Sequence, residues 1–152
     1  MTARFGVAVA DTSVLLAAFN RKDDLHALGA EAMSAARVLI ISPMVMTELD
    51  HLLTRRAGEA EAINAITRLG ALAGLGVVVL PPADRRLYAD AEQLLRRYQG
   101  HELGLADAVN AVLAWRLQQP AILSFDHHYQ DVLAPAKGTG PRIEVHPGPA
   151  GR

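Results

Sequence analysis

Four acidic side chains are spaced so that one edge of a folded chain can collect them. Asp11 directly follows the apolar run Phe5 to Ala10, and Asp126 follows Ala121 to Leu123 by way of Ser124-Phe125. Glu48 falls in the second turn of a helix opened by Ser42-Pro43, and Asp107 in the first turn of a helix starting near Leu105. In an open parallel sheet, ligands bind beyond the carboxyl ends of the strands, where the loops gather. All four acids then face the same edge. Carboxylates brought close together repel, and must be protonated or neutralised by a cation. The chain has no cysteine, which excludes disulfides, thiolate zinc sites and cysteine nucleophiles. Oxygen donors with positions left open for water and phosphate suit Mg²⁺ or Mn²⁺. Such an ion lowers the pKa of a bound water and steadies charge developing on a phosphodiester, so the chemistry expected is phosphodiester hydrolysis.

Each acid also has a structural alternative. Asp11 can cap the helix beginning near Ser13, Asp107 can complement a helix amino terminus, and Asp126 can make an Asx turn. Glu48 is harder to explain that way, because it sits beside an apolar stripe. The supporting polar residues are open in the same sense. Thr12 and Ser13 can donate to Asp11 or to a substrate phosphate, or cap a helix. Asn110, three residues after Asp107, can orient a carboxylate or face solvent. His127-His128 read as loop residues, since adjacent imidazoles do not easily aim at one ion and hard cations prefer oxygen.

The elements that must position these residues follow from periodicity. Phe5 to Ala10, Val38 to Ile41, Val77 to Leu80 and Ala121 to Leu123 are short apolar runs that read as buried strands, with Ile143 to Val145 as a fifth at an edge. Between them the apolar period becomes helical. Val45, Leu49, Leu52 and Leu53 form one stripe, and Leu87, Ala91, Leu94, Leu95 and Tyr98 form another between Asp84 and Gly100. Further helices are predicted over 13–19, 24–36, 59–73 and 105–118. Strands alternating with helices imply parallel pairing with helices on both faces: a three-layer α/β/α sandwich around a mainly parallel sheet of four to five strands.

Bulk properties agree with one domain. A chain of 152 residues, 51% hydrophobic and 20% charged, can bury a core unaided. The domain is expected over 1–146, with 147–152 as a flexible tail. The formal net charge of −1 gives no global basic field, so a nucleic acid would have to be held by local patches such as Arg55-Arg56, Arg85-Arg86 or Arg96-Arg97. No segment reaches the roughly 20 apolar residues of a membrane span, and the cytoplasm is the expected location.

With these residues in place, the sequence resembles the PIN-domain family and, within it, the VapC-like toxins of bacterial toxin–antitoxin pairs. The resemblance is carried by Asp11-Thr12-Ser13-Val14-Leu15-Leu16, by Ser42-Pro43 with Glu48 after it, by Leu103-Gly104-Leu105-Ala106-Asp107-Ala108, and by Ile122-Leu123-Ser124-Phe125-Asp126 with Tyr129 beyond. It runs from about Val7 to Leu133. It implies that Asp11, Glu48, Asp107 and Asp126 bind Mg²⁺ or Mn²⁺, and that the protein is an endoribonuclease acting on single-stranded or looped RNA. It also implies a VapB-like antitoxin that occludes the site, and often a homodimer. Ser124 stands where many relatives carry Thr, and Tyr129 where Phe is common.

Rival classes lack their residues. Haloacid-dehalogenase-like phosphatases usually need a second Asp where this chain has Ser13, and receiver domains need a late lysine, whereas only Lys22 and Lys137 are present. Gly74-Leu75-Gly76 precedes a strand instead of following one, so it makes no dinucleotide fingerprint. A PIN-like module that binds RNA or protein without cutting is the remaining alternative; loss of an acidic ligand would mark it, and all four are present.

Overall fold

In the computed structural model, residues 3–130 and 142–149 are described. The elements run β1 (Phe5–Ala10), α1 (Thr12–Phe19), α2 (His26–Met33), β2 (Ala36–Ile40), α3 (Pro43–Ala57), α4 (Glu59–Gly74), β3 (Val78–Val79), α5 (Arg85–Arg97), α6 (Leu105–Trp115), β4 (Ala121–Ser124) and β5 (Glu144–Pro147), with a 3₁₀ turn at His128–Gln130. The five strands form one sheet in the order β3-β2-β1-β4-β5, every pair parallel. The fold is the expected α/β/α sandwich.

Alternation along the strands divides the core in two. Ala8 and Ala10 of β1 and Leu123 of β4 join Val14, Leu49, Leu53, Ala65 and Leu69 beneath α1 to α4. Val9 and Ile122, one residue out of step, join Leu87, Ala91, Leu94, Val109 and Leu113 beneath α5 and α6. This is the period-2 pattern of strands buried on both faces.

Helix starts follow local chemistry. Ser42 accepts from the Val45 N–H at 3.2 Å with Pro43 at the first helical position, and Asp84 accepts from the Leu87 N–H at 2.9 Å. Helix ends were less visible in sequence. The helix expected over 24–36 spans only His26–Met33, because Asp23 turns the chain through a bond from the Leu25 N–H and Ala36 already belongs to β2. The helix expected to reach 118 stops at Trp115, where short-range bonds from Arg116 N–H to Leu113 O and Leu117 N–H to Ala114 O tighten the last turn ahead of Pro120. β3 is two residues long, as Pro81 and Pro82 cannot donate to a ladder. β5 carries Pro147 into the sheet, and the Gly148 N–H bonds to Ser124 O at 3.0 Å, so pairing continues past residue 146, where the sequence placed the start of a tail. Residues 150–152 lie outside the described set.

The strand order fixes the site. From β1 the chain adds β2 and β3 on one side, then returns to place β4 on the other. The topological switch point therefore lies between β1 and β4, where α/β folds open a crevice. The Asp11 N–H donates to Leu123 O at 2.9 Å, which locks the ends of these strands together.

α1 and α2 pack closely enough to need a glycine. A Cβ built on Gly29 would lie 2.8 Å from Ala18 N, 2.9 Å from Ala17 Cβ and 3.0 Å from Val14 O. Two of these are backbone atoms of α1, so the helices themselves must part. Gly29→Ala should therefore destabilise the fold by about 1–3 kcal/mol, despite the ~1 kcal/mol that alanine gains in a helix interior. Urea unfolding measures this, and a variant as stable as wild type would disprove the close packing.

Candidate active site

Asp11 leaves β1 with extended backbone as the residue before α1, yet its side chain makes no capping bond. The carboxylate is 3% exposed and turns instead into the crevice. Ser13 Oγ and Ser124 Oγ donate to its Oδ2 at 3.0 and 2.7 Å. Tyr129 OH and Asn110 Nδ2 donate to its Oδ1 at 3.0 and 3.3 Å. Of the two fates open to Asp11 in sequence, helix cap or site residue, the geometry selects the second.

Proton bookkeeping settles the hydroxyls. Ser13 Oγ accepts from the Phe125 N–H at 3.0 Å, and Ser124 Oγ accepts from the Asp126 N–H at 2.9 Å. Each has one proton to give, and the nearest carboxylate is Asp11. The two serines thus relay the position of the 125–126 backbone to Asp11. Thr12 behaves differently: its Oγ1 is buried with no hydrogen-bond partner among the described residues, so it does not donate to Asp11.

Asn110 is fully buried on α6, which rules out the solvent-facing alternative. Its Nδ2 also donates to Tyr129 OH at 3.0 Å, while its Oδ1 has no partner among the described residues. Tyr129 is fully buried, and burial followed by the charges of Asp11 and Asp107 pushes its hydroxyl well above its ordinary pKa. It therefore remains a donor at neutral pH.

Asp107 and Asp126 respond to the same centre. Burial, then the Asp11 charge, raises the Asp107 carboxyl. Burial, then Asp11, also raises Asp126, with a hydrogen-bond interaction with Asp11 and the charge of Asp107 adding to the effect. Asp107 keeps part of its helix role, accepting from the Gly104 N–H at 3.4 Å. Glu48 is exposed on α3 and lines one cleft with Thr12, Ser13 and Asp126, and another with Leu105 and Ala106 at the start of α6. All four acids thus lie at the carboxyl edge of the sheet. Among the described residues, however, no three Asp, Glu or His side chains already close on a common ion-sized point. The carboxylates are electrostatic neighbours, not a formed cage.

The reading of His128 as a loop residue did not anticipate its contact with an acid. Its Nδ1 lies 3.4 Å from Asp107 Oδ2, and its charge opposes the upward shifts of Asp107 and Asp126. His127 packs edge-on against it at 5.1 Å. Tyr129 was noted only as a motif aromatic, and its hydroxyl carries the contact. Neither residue lies in a periodic element, so only the β1–β4 adjacency reveals them.

Comparison with known proteins agrees with this arrangement. The PIN domain family profile matches residues 8–134. Ribonuclease VapC26 of Mycobacterium tuberculosis is 37% identical over 131 residues, covering 86% of this chain and 94% of that protein. Among solved structures, the sarcin–ricin loop cleaving toxin VapC20 of M. tuberculosis superposes with a TM-score of 0.70 at 23% identity, covering 83% of this chain and 94% of that one. VapBC2 of Rickettsia felis, bound to a DNA fragment from its promoter, gives 0.57 at 13% identity, covering 91% and 98%. These two likenesses concern the fold alone. The chain belongs to the PIN-domain family, and within it to the VapC-type toxin ribonucleases.

Two outcomes are expected. Tyr129→Phe removes one donor to a buried carboxylate and should cost about 1–3 kcal/mol, read as a lower urea midpoint; an unchanged midpoint would mean that the hydroxyl does not support Asp11. The raised carboxyls of Asp107 and Asp126 stabilise the metal-free fold while protonated, and this contribution is lost as pH rises through their raised values. Asp126→Asn should therefore raise the neutral-pH Tm in EDTA, by about 2–4 °C for each ~1 kcal/mol of repulsion removed. A lower Tm would contradict the repulsion.

Proposed function

We propose that the protein is a divalent-cation-dependent endoribonuclease whose ion is held by Asp11, Asp107, Asp126 and Glu48. The observation that carries this is the gathering of the acids at the carboxyl edge of the sheet, where Asp11 is buried behind Ser13 and Ser124 and Glu48 and Asp126 line one cleft; burial and the charge of Asp11 accordingly raise Asp107 and Asp126. Neighbouring carboxylates in such a state favour either protons or a cation.

The donor set fits a hard ion. It offers carboxylate oxygens, and Asn110 contributes a buried Oδ1 without a partner beside Asp11. Glu48, long and exposed, can swing toward the cleft that it lines with Asp126. Oxygen ligands with open positions suit Mg²⁺ or Mn²⁺. When bound, such an ion supplies charge neutralisation at the scissile phosphate and activates water. The protein's own residues hold the acids in place: Ser13, Ser124, Asn110 and Tyr129 orient Asp11, and Ser124 also fixes the backbone of Asp126.

RNA as the substrate is supported by the ribonuclease relative. A VapB-like antitoxin that covers the site is the partner that membership of the VapC-type ribonucleases implies. The exposed Ile63 and Ile66 of α4, which line one cleft with Met46 of α3, offer an apolar face for the expected homodimer. No helix among the described residues is long and apolar enough to cross a membrane, which is compatible with action in the cytoplasm.

Asp11→Asn should lower RNA cleavage by at least about a thousandfold, ~4 kcal/mol of transition-state stabilisation, while circular dichroism stays native. Mg²⁺ or Mn²⁺ should raise the wild-type Tm more than that of Asp107→Asn or Asp126→Asn. Equal shifts would move the ion elsewhere. RNA association that survives EDTA, with no cleavage in any metal, would instead identify a binding module.

A further inference from the structure

The cleft at the acids continues into a second one of opposite charge. Thr12, Ser13, Glu48 and Asp126 share the first with Arg56, from the last turn of α3. Arg56 also lines an adjoining cleft of about 690 Å³ with Arg21, Lys22, Arg68, Asn64 and Glu61. Four cations meet one carboxylate there, in a chain whose formal net charge is −1. All four cations are exposed, and among the described residues none makes an ion pair. Arg68 lies with its guanidinium 5.6 Å above the Phe19 ring.

We propose that this cleft is the track of a single-stranded RNA, carrying the strand away from the acid site; it rests on the reading that the acids cut RNA. Three features favour RNA as the occupant. The cationic groups come from the α1–α2 turn, α3 and α4, which gives a repeated charge suited to successive phosphates. Arg68, backed by Phe19, presents a flat cationic plane on which an unpaired base can stack. Arg56 belongs to both clefts, so a strand gripped in one enters the other without a break.

The decisive variant is Arg21→Gln/Lys22→Gln/Arg56→Gln, which spares the Arg68–Phe19 contact. Arg4→Gln/Arg37→Gln/Arg142→Gln removes equal charge from exposed positions outside both clefts. Fluorescence anisotropy with a single-stranded oligonucleotide of about 12 nucleotides, in EDTA, reads binding alone. The cleft variant should bind roughly tenfold more weakly at physiological salt, and its log K against log salt slope should flatten by up to about 2 units, at ~0.7 per lost phosphate contact. With metal, KM for the same oligonucleotide should rise by a similar factor. The control variant should match wild type in each measurement. An unchanged affinity and slope in the cleft variant would overturn the proposal. So would RNA binding like wild type with loss of affinity for a polyglutamate peptide, which would assign the cleft to an acidic protein segment. Wild-type protein that cleaves no RNA in Mg²⁺ or Mn²⁺ would sink the nuclease reading instead, and the anisotropy comparison would still decide the cleft.

Discussion

A carboxylate taken out of water must be fully hydrogen-bonded, or its burial costs several kcal/mol. Asp11 satisfies this with two donors on each oxygen, and those donors come from α1, α6, the end of β4 and the turn that follows it. One residue thereby ties four parts of the chain to the end of β1. The requirement runs in both directions. The β1–β4 pairing brings Ser124 to Asp11, and the need to satisfy Asp11 holds the 124–129 segment against the sheet.

All four donors are neutral. They meet the hydrogen-bonding needs of Asp11 without cancelling its charge, so the charge is felt by Asp107 and Asp126. A structural site would ordinarily answer a cluster of acids with Arg or Lys. Among the described residues no such cation pairs with any of the three, and His128 alone comes within ion-pair range of Asp107. The fold has organised a negative centre and left its neutralisation to something from outside. On the proposed reading, that asymmetry is what a cation site requires and what a buried ion pair, which completes itself, lacks.

Much of this was legible in sequence. Short apolar runs ended by Asp11 and Ser124-Phe125-Asp126 gave the strands, and the carboxyl-end rule then gave the acids. Parallel sheets buried on both faces leave such runs unbroken, which makes them easy to find. What stayed hidden depended on partners that only the fold brings together, several of them more than a hundred residues apart. Ser13 reads equally as a donor to Asp11 or a helix cap until β4 brings Ser124 and the Phe125 N–H to it. Tyr129 and His128 follow the last core strand in a segment without periodicity, so no pattern marks which side chain turns inward. Glu48 is legible by position alone, since its exposed side chain has no partner among the described residues to fix its direction.

Charge distribution joins the two halves of the site. A formal net charge of −1 gives no long-range pull on a polyanion, and the acid centre by itself repels one. A polyanion approaches such a centre only if an ion masks the carboxylates and a nearby cationic surface holds the rest of the strand. Arg56 stands at that boundary, sharing one cleft with Glu48 and Asp126 and the next with Arg21, Lys22 and Arg68. On the two proposals together, specificity is divided along the strand, with the acids acting at one phosphate and the cations selecting for length and single-strandedness beyond it.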